Sequence, residues 1–148
     1  MNKYSLEDLE AIRRLTHLYA YHIDHFEMEP LLALWTDDAV FDESGVGLRC
    51  SQGLDAIRNS FAEAFAVMDT VVHYTSNFLL LDCDGERARG TAYYLAEGVV
   101  KGGGTVHATG YYRDEYRKTV DGWRFRSREV FYFNPPDLGA YLAGANAL

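Results

Sequence analysis

Large or apolar side chains stand at Leu9, Ile12, Thr16, Tyr19 and Ile23, a three-and-four spacing that lines one face of a helix. Ser5 and Asp8 are spaced as a capping box, so the helix is predicted from about Leu6 to Ile23. A second, short helix uses Pro30 in its first turn and carries Leu31, Leu32, Leu34 and Trp35. In TDDAVFDES the period drops to two, with Ala39 and Phe41 against Val40 and Asp42, which predicts a short strand. After Gly53, the series Leu54, Ile57, Phe61 and Phe65 marks a third amphipathic helix.

From Val71 the pattern belongs to strands. VVHYTSNFLLLDC and RARGTAYYLAEGVV flank a hairpin tip at Asp84-Gly85. Gly102–Gly104 turns the chain into TVHATGYYRDEYRKT, and VDG turns it again into WRFRSREVFYF. Pro135-Pro136 then opens a tail that cannot continue a central strand. Helices gathered early and a meander of four long strands late predict an α+β fold, a curved sheet wrapped on its helices. Glu129 to Phe133 is read as an aromatic, exposed edge strand able to pair with another copy, so a homodimer or homotrimer is expected.

Composition narrows the function. The 148 residues suit a single domain over residues 1–148, large enough to bury roughly two thirds of its unfolded surface. A net charge of -8 argues against nucleic-acid and anionic-membrane partners. The N-terminal MNKYSLEDLEAIRR lacks the apolar core of a secretory signal, so a cytoplasmic protein is expected, with Cys50 and Cys83 as reduced thiols. Eleven tyrosines suit the wall of a cavity, since each offers an apolar ring and a polar tip. The sequence contains no G-x-S-x-G elbow, phosphate-binding glycine loop or dinucleotide fingerprint, and no cofactor is expected. His17, His22 and His25 do not share one helical face, so no metal is expected either.

The order of elements, with HLYAYHID in the first helix, LWTDDAVFD after the second, QGLDAIRNSF opening the third, VVHYTSNF on the first long strand and GYYRDEYRKTVDGWRFRSR near the end, resembles the nuclear transport factor 2-like superfamily and most of all its SnoaL-like branch. The resemblance runs from about Leu6 to Arg128. It implies a cone-shaped barrel of mixed, mostly antiparallel sheet on three N-terminal helices, enclosing an apolar cavity. The superfamily holds dehydratases, isomerases, cyclases and non-catalytic subunits, so the pocket residues must decide the activity.

His73 shares a predicted strand face with Thr75, Asn77 and Leu79. A neutral imidazole lining a cavity can take a proton from a carbon acid, although a core histidine bonded to backbone fits the pattern too. The resemblance implies a base histidine on this strand. It also implies an aspartate at the end of the first helix to orient that histidine, and Asp24 supplies one. At ideal spacing Asp24 lies at the edge of the apolar stripe, so the helix must loosen or end near it; alternatively Asp24 and Glu27 cap the next turn. Tyr19 lies on the stripe, either as a hydrogen-bond donor to the substrate or as a core aromatic.

Arg124, Arg126 and Arg128 alternate onto one face unless a bulge turns Arg128 alone inward. The resemblance implies an arginine near Arg128 that binds a leaving group or substrate anion. Asn77, Tyr94, Tyr112 and Trp35 are expected to line the substrate site, with His107 and Asp114 as weaker candidates. These residues predict a cofactor-independent lyase acting on a small apolar cyclic molecule, steroid, terpenoid or polyketide-like. The alternatives are a ketosteroid-type isomerase using Tyr19 and Asp42, a polyketide cyclase, or a ligand-binding or subunit-assembly domain without chemistry.

Overall fold

The computed structural model describes residues 4–148; the first three residues of the polar N-terminal stretch lie outside the described residues. Helix α1 spans Leu6–Asp24 and opens on the capping box, Asp8 N–H donating to Ser5 Oγ (3.0 Å) and Ser5 N–H to Asp8 Oδ2 (3.3 Å). Asp8 does more than cap. Its Oδ1 also accepts from Trp123 Nε1 and Lys118 Nζ, both at 2.8 Å, tying the start of the helix to the last two strands.

The end of α1 is set by backbone geometry. Phe26 N–H donates to Ile23 O and Glu27 N–H to His22 O, with Phe26 at φ 55°. This is the Schellman arrangement, in which a left-handed residue usually supplied by glycine stops the helix. Here a phenylalanine bears the strain, and its ring packs on Phe65 at 5.1 Å. His22 Nδ1 meets Glu27 Oε2 across the same turn (2.6 Å). Helix α2 follows at Met28–Leu32.

Trp35, expected in that short helix, instead begins strand β1 (Trp35–Asp42). A 3-10 turn at Ser44–Val46 leads to β2 (Cys50–Gln52), and α3 (Leu54–Val67) runs directly into β3 (Met68–Cys83). Strands β4 (Arg87–Val100), β5 (Thr105–Thr119) and β6 (Gly122–Tyr132) complete the meander. The tail forms α4 at Gly139–Ala145.

The six strands form one curved sheet in the order β2-β1-β6-β5-β4-β3, mixed because β1 runs parallel to β6 and antiparallel elsewhere. The sheet is open, with β2 and β3 at its margins, so the expected cone is not closed into a barrel. Strand β6 is interior. Glu129, expected on an exposed edge, pairs with Asp42 on one side and Arg113 on the other. The crossover that brings β1 back beside β6 is what the meander pattern did not reveal.

Two irregularities decide which side chains face the helices. Register shifts between Ser76 and Leu79 on β3, where Asn77 adopts φ 51°. The regular alternation expected there therefore breaks: Phe78 and Leu80 are half-buried while Asn77 and Leu79 are exposed. On β6, Arg126 is bulged out between Phe125, opposite Tyr116, and Ser127, opposite Glu115. Arg128 alone of the three arginines consequently turns inward and is fully buried. Against this face of the sheet, Ile12, Leu15, Tyr19 and Ile23 of α1 pack with Trp35, Phe41, Phe61 and Phe125. A second cluster of Val67, Met68, Val100 and Val106 is covered by Leu138, Ala140 and Tyr141 of the C-terminal segment. Among the described residues no helix is long and apolar enough to cross a membrane.

Candidate active site

Because α1 stops where it does, Asp24 is its last helical residue and points at β3. His73 N–H donates to Asp24 Oδ2 at 2.9 Å, and His73 Nδ1 lies 2.7 Å from Asp24 Oδ1. One carboxylate thus grips both backbone and ring of the same residue. An aspartate accepts only, so Nδ1 is the donor of this pair, and in the neutral ring Nε2 keeps its lone pair. Among the described residues Nε2 makes no hydrogen bond. Both side chains are largely covered, at 13% exposure for His73 and 16% for Asp24.

His73 lines a pocket of about 160 Å³ together with Tyr19, Phe41, Glu43, Tyr94, Tyr112 and mainly apolar neighbours. Leu138 and Tyr141 of the C-terminal segment form part of its wall. The Tyr19 ring stands edge-on to the His73 ring at 6.4 Å. Burial pushes the Tyr19 phenol well above its ordinary pKa, with the Arg128 charge opposing, so it stays protonated as a donor. Tyr112 is shifted the same way by burial and stacks on Tyr94 at 4.7 Å.

Arg128 does not line the pocket, contrary to the expected direct contact with a leaving group. It lies behind Tyr19 and Tyr112, its guanidinium 4.3 and 3.8 Å from their ring centroids, and makes a two-pronged ion pair with Asp114 at 2.8 Å through Nε and Nη2. Burial works against its charge, but the Asp114 carboxylate outweighs it and holds the guanidinium above its ordinary pKa. Tyr116 donates to the same carboxylate at 2.8 Å. Asp114 is therefore the counter-ion of Arg128 and no pocket acid.

Three further expectations fail on position. Asn77 is exposed on the far side of the β3 bulge, away from the pocket. Trp35 is 3% exposed and packs among Tyr19, Phe41 and Phe125 without lining the pocket. His107 is exposed and meets Glu97 at 3.1 Å. Tyr94 and Tyr112 do line the pocket. Asp42 faces outward, accepting from Ser44 N–H at 2.9 Å, and lines a separate surface hollow. Its neighbour Glu43 is half-buried and lines both this pocket and an outer hollow beside Arg49 and Glu63, a residue that the alternation across TDDAVFDES left unmarked because the strand ends between the two. Among the described residues no cluster of His, Cys, Asp or Glu is arranged to hold a metal ion.

A SnoaL-like domain model matches residues 4–129. A candidate aromatic ring hydroxylase from Novosphingobium aromaticivorans is 34% identical, with a TM-score of 0.90 over 94% of this chain and 99% of its own. A candidate scytalone dehydratase from the same species is 23% identical, with a TM-score of 0.81 over 87% of this chain and 86% of its own. A hexachlorocyclohexane dehydrochlorinase from Novosphingobium barchaimii is 20% identical, with a TM-score of 0.78 over 90% and 92%. At those lower identities the likeness is one of fold. No curated protein matches the sequence.

Proposed function

The chain belongs to the SnoaL-like domain family, and from that premise we propose that it is a lyase working without a bound cofactor, in which His73 is the base and Asp24 orients it. The observation that carries this reading is the 2.7 Å contact between Nδ1 and Asp24, which leaves Nε2 free in a pocket that is mostly apolar. Nε2 takes a proton from a carbon next to an activating group, Asp24 stabilises the imidazolium, and the Tyr19 hydroxyl donates to the oxygen on which charge develops. Arg128 acts through Tyr19 and Tyr112 rather than on the substrate. The dehydratase and dehydrochlorinase among the similar folds support an elimination. Isomerisation with Asp42 as proton shuttle loses its footing, since Asp42 faces outward.

Size narrows the substrate. A dry cavity of about 150 Å³ takes one benzene-sized ring, so a pocket of about 160 Å³ suits a small monocyclic molecule. The aromatic ring named as substrate of the 34% identical candidate hydroxylase fits the same space.

The test is a screen of small cyclic β-hydroxy ketones for loss of water by mass spectrometry. Turnover is expected in the wild type, with a fall of about 10²- to 10⁴-fold in His73→Gln and about 10²-fold or more in Asp24→Asn. Turnover indifferent to His73→Gln sinks the reading. Ligand bound without turnover favours a binding protein.

A further inference from the structure

The pocket holds a second ionisable group that the His73 and Asp24 pair does not use. Glu43 follows β1 directly and lines the pocket with Tyr19, His73 and three tyrosines from the sheet. The hydrogen bond recorded to its carboxyl comes from Ser60 Oγ of α3, to Oε2 at 3.3 Å. The pocket's other polar tips are mostly committed. Tyr94 donates to Phe131 O at 3.0 Å, Tyr132 to Val46 O at 2.6 Å and Tyr141 to Glu63 at 3.3 Å. A ligand is left with Tyr19, Tyr112, His73 and Glu43.

We propose that Glu43 is a binding residue that stands protonated in this pocket and donates its O–H to an uncharged acceptor oxygen of the ligand, so that the site selects neutral ketones or alcohols over carboxylates. This deepens the lyase reading and rests on it for the identity of the pocket. Ser60 donating to Oε2 leaves Oε1 for the proton, and an apolar wall favours the neutral acid. Burial, first of all, pushes the carboxyl up to about 7. The groups around it pull both ways: Ser60 of α3 and Arg49 lower it, while Glu63 of α3 and Asp42 of β1 raise it. From β3 the imidazole of His73 lines the same pocket, and from α1, β4, β5, β6 and α4 the facing groups are the phenols of Tyr19, Tyr94, Tyr112, Tyr132 and Tyr141, whose own ionisation Glu43 opposes. Since a raised carboxyl keeps its proton below its folded pKa, donation is present at pH 6 and lost as the pH rises through about 7.

Two measurements on the full chain test this without requiring turnover. Carbon-13 NMR of glutamate-labelled protein follows Glu43, assigned with Glu43→Gln, and a midpoint near neutrality is expected; a midpoint below about 5 overturns the proposal. Binding of acetophenone, whose oxygen only accepts, is followed beside its hydrocarbon isostere cumene. Acetophenone is expected to weaken about tenfold between pH 6 and 8.5, the worth of one neutral hydrogen bond. Glu43→Gln, which keeps a permanent donor, binds it with little change over that range, and Glu43→Leu binds it weakly throughout. Acetophenone held no better by the wild type than by Glu43→Leu at pH 6, failure of both to bind included, overturns the proposal. Loss of the lyase reading instead shows as turnover indifferent to His73, whatever Glu43 does.

Discussion

The fully buried Arg128 depends on one carboxylate. Its guanidinium is enclosed by Tyr19, Tyr112 and Phe125, and among the described residues it is answered by Asp114 alone while its Nη1 has no hydrogen-bond partner. Removing either partner strands a charge away from water, which costs about 3–5 kcal/mol. Asp114→Leu and Arg128→Met are each expected to lose that much in urea unfolding. The double variant should recover a large part of it, because an apolar pair of similar volume leaves no charge behind. At this scale the sequence was partly legible. The choice of His73, Asp24 and Tyr19 needed only residue type and spacing joined to the family resemblance. The burial of Arg128 required a bulge at Arg126 that pairing with β5 creates and no local pattern announces. Glu43 was missed for a related reason: a single residue beyond the end of β1 decides which carboxylate reaches the pocket.

Among the elements, α1 carries the tightest link between local code and tertiary structure. Asp8 closes the capping box and also receives Trp123 of β6 and Lys118 of β5. Lys118 in the first place, then Trp123, holds its carboxyl well below the usual range. Asp8→Ala should therefore cost about 1–2 kcal/mol, from the lost reciprocal half of the capping box and the part-buried bond to Trp123. A depressed carboxyl contributes stability above its unfolded pKa and loses it as the pH falls. Thermal melts should accordingly show the wild type losing its advantage over Asp8→Asn between pH 5 and pH 2. Helix starts and the four long strands were legible because caps and periodicity are local. The short β2 and α4 were not, since three residues of strand and a seven-residue Gly- and Ala-rich helix carry little pattern of their own. Trp35 was misplaced because one apolar run continues across the boundary between α2 and β1.

Over the whole molecule, the C-terminal segment closes one side of the pocket. Leu138 and Tyr141 line it, α4 packs close to α3 where Gly144 meets Val67, and His107 and Asp137 bind the segment back to β5 through paired backbone bonds. Ending the chain after Asn134 should bare Val67, Met68, Val100 and Val106, costing roughly 3 kcal/mol or more. The checks are a lower melting temperature, stronger fluorescence of an apolar dye and weaker binding of acetophenone. The general architecture was foreseeable from helices early and strands late, but the open margin along β3 was not. That margin has a further effect. A lone outer strand offers its amides to any visiting chain, yet where β3 carries His73 the free amide is already taken by Asp24. The acid that serves the imidazole thereby stands guard over the sheet, and a stray peptide seeking to extend it there must first evict the residue on which the proposed chemistry depends.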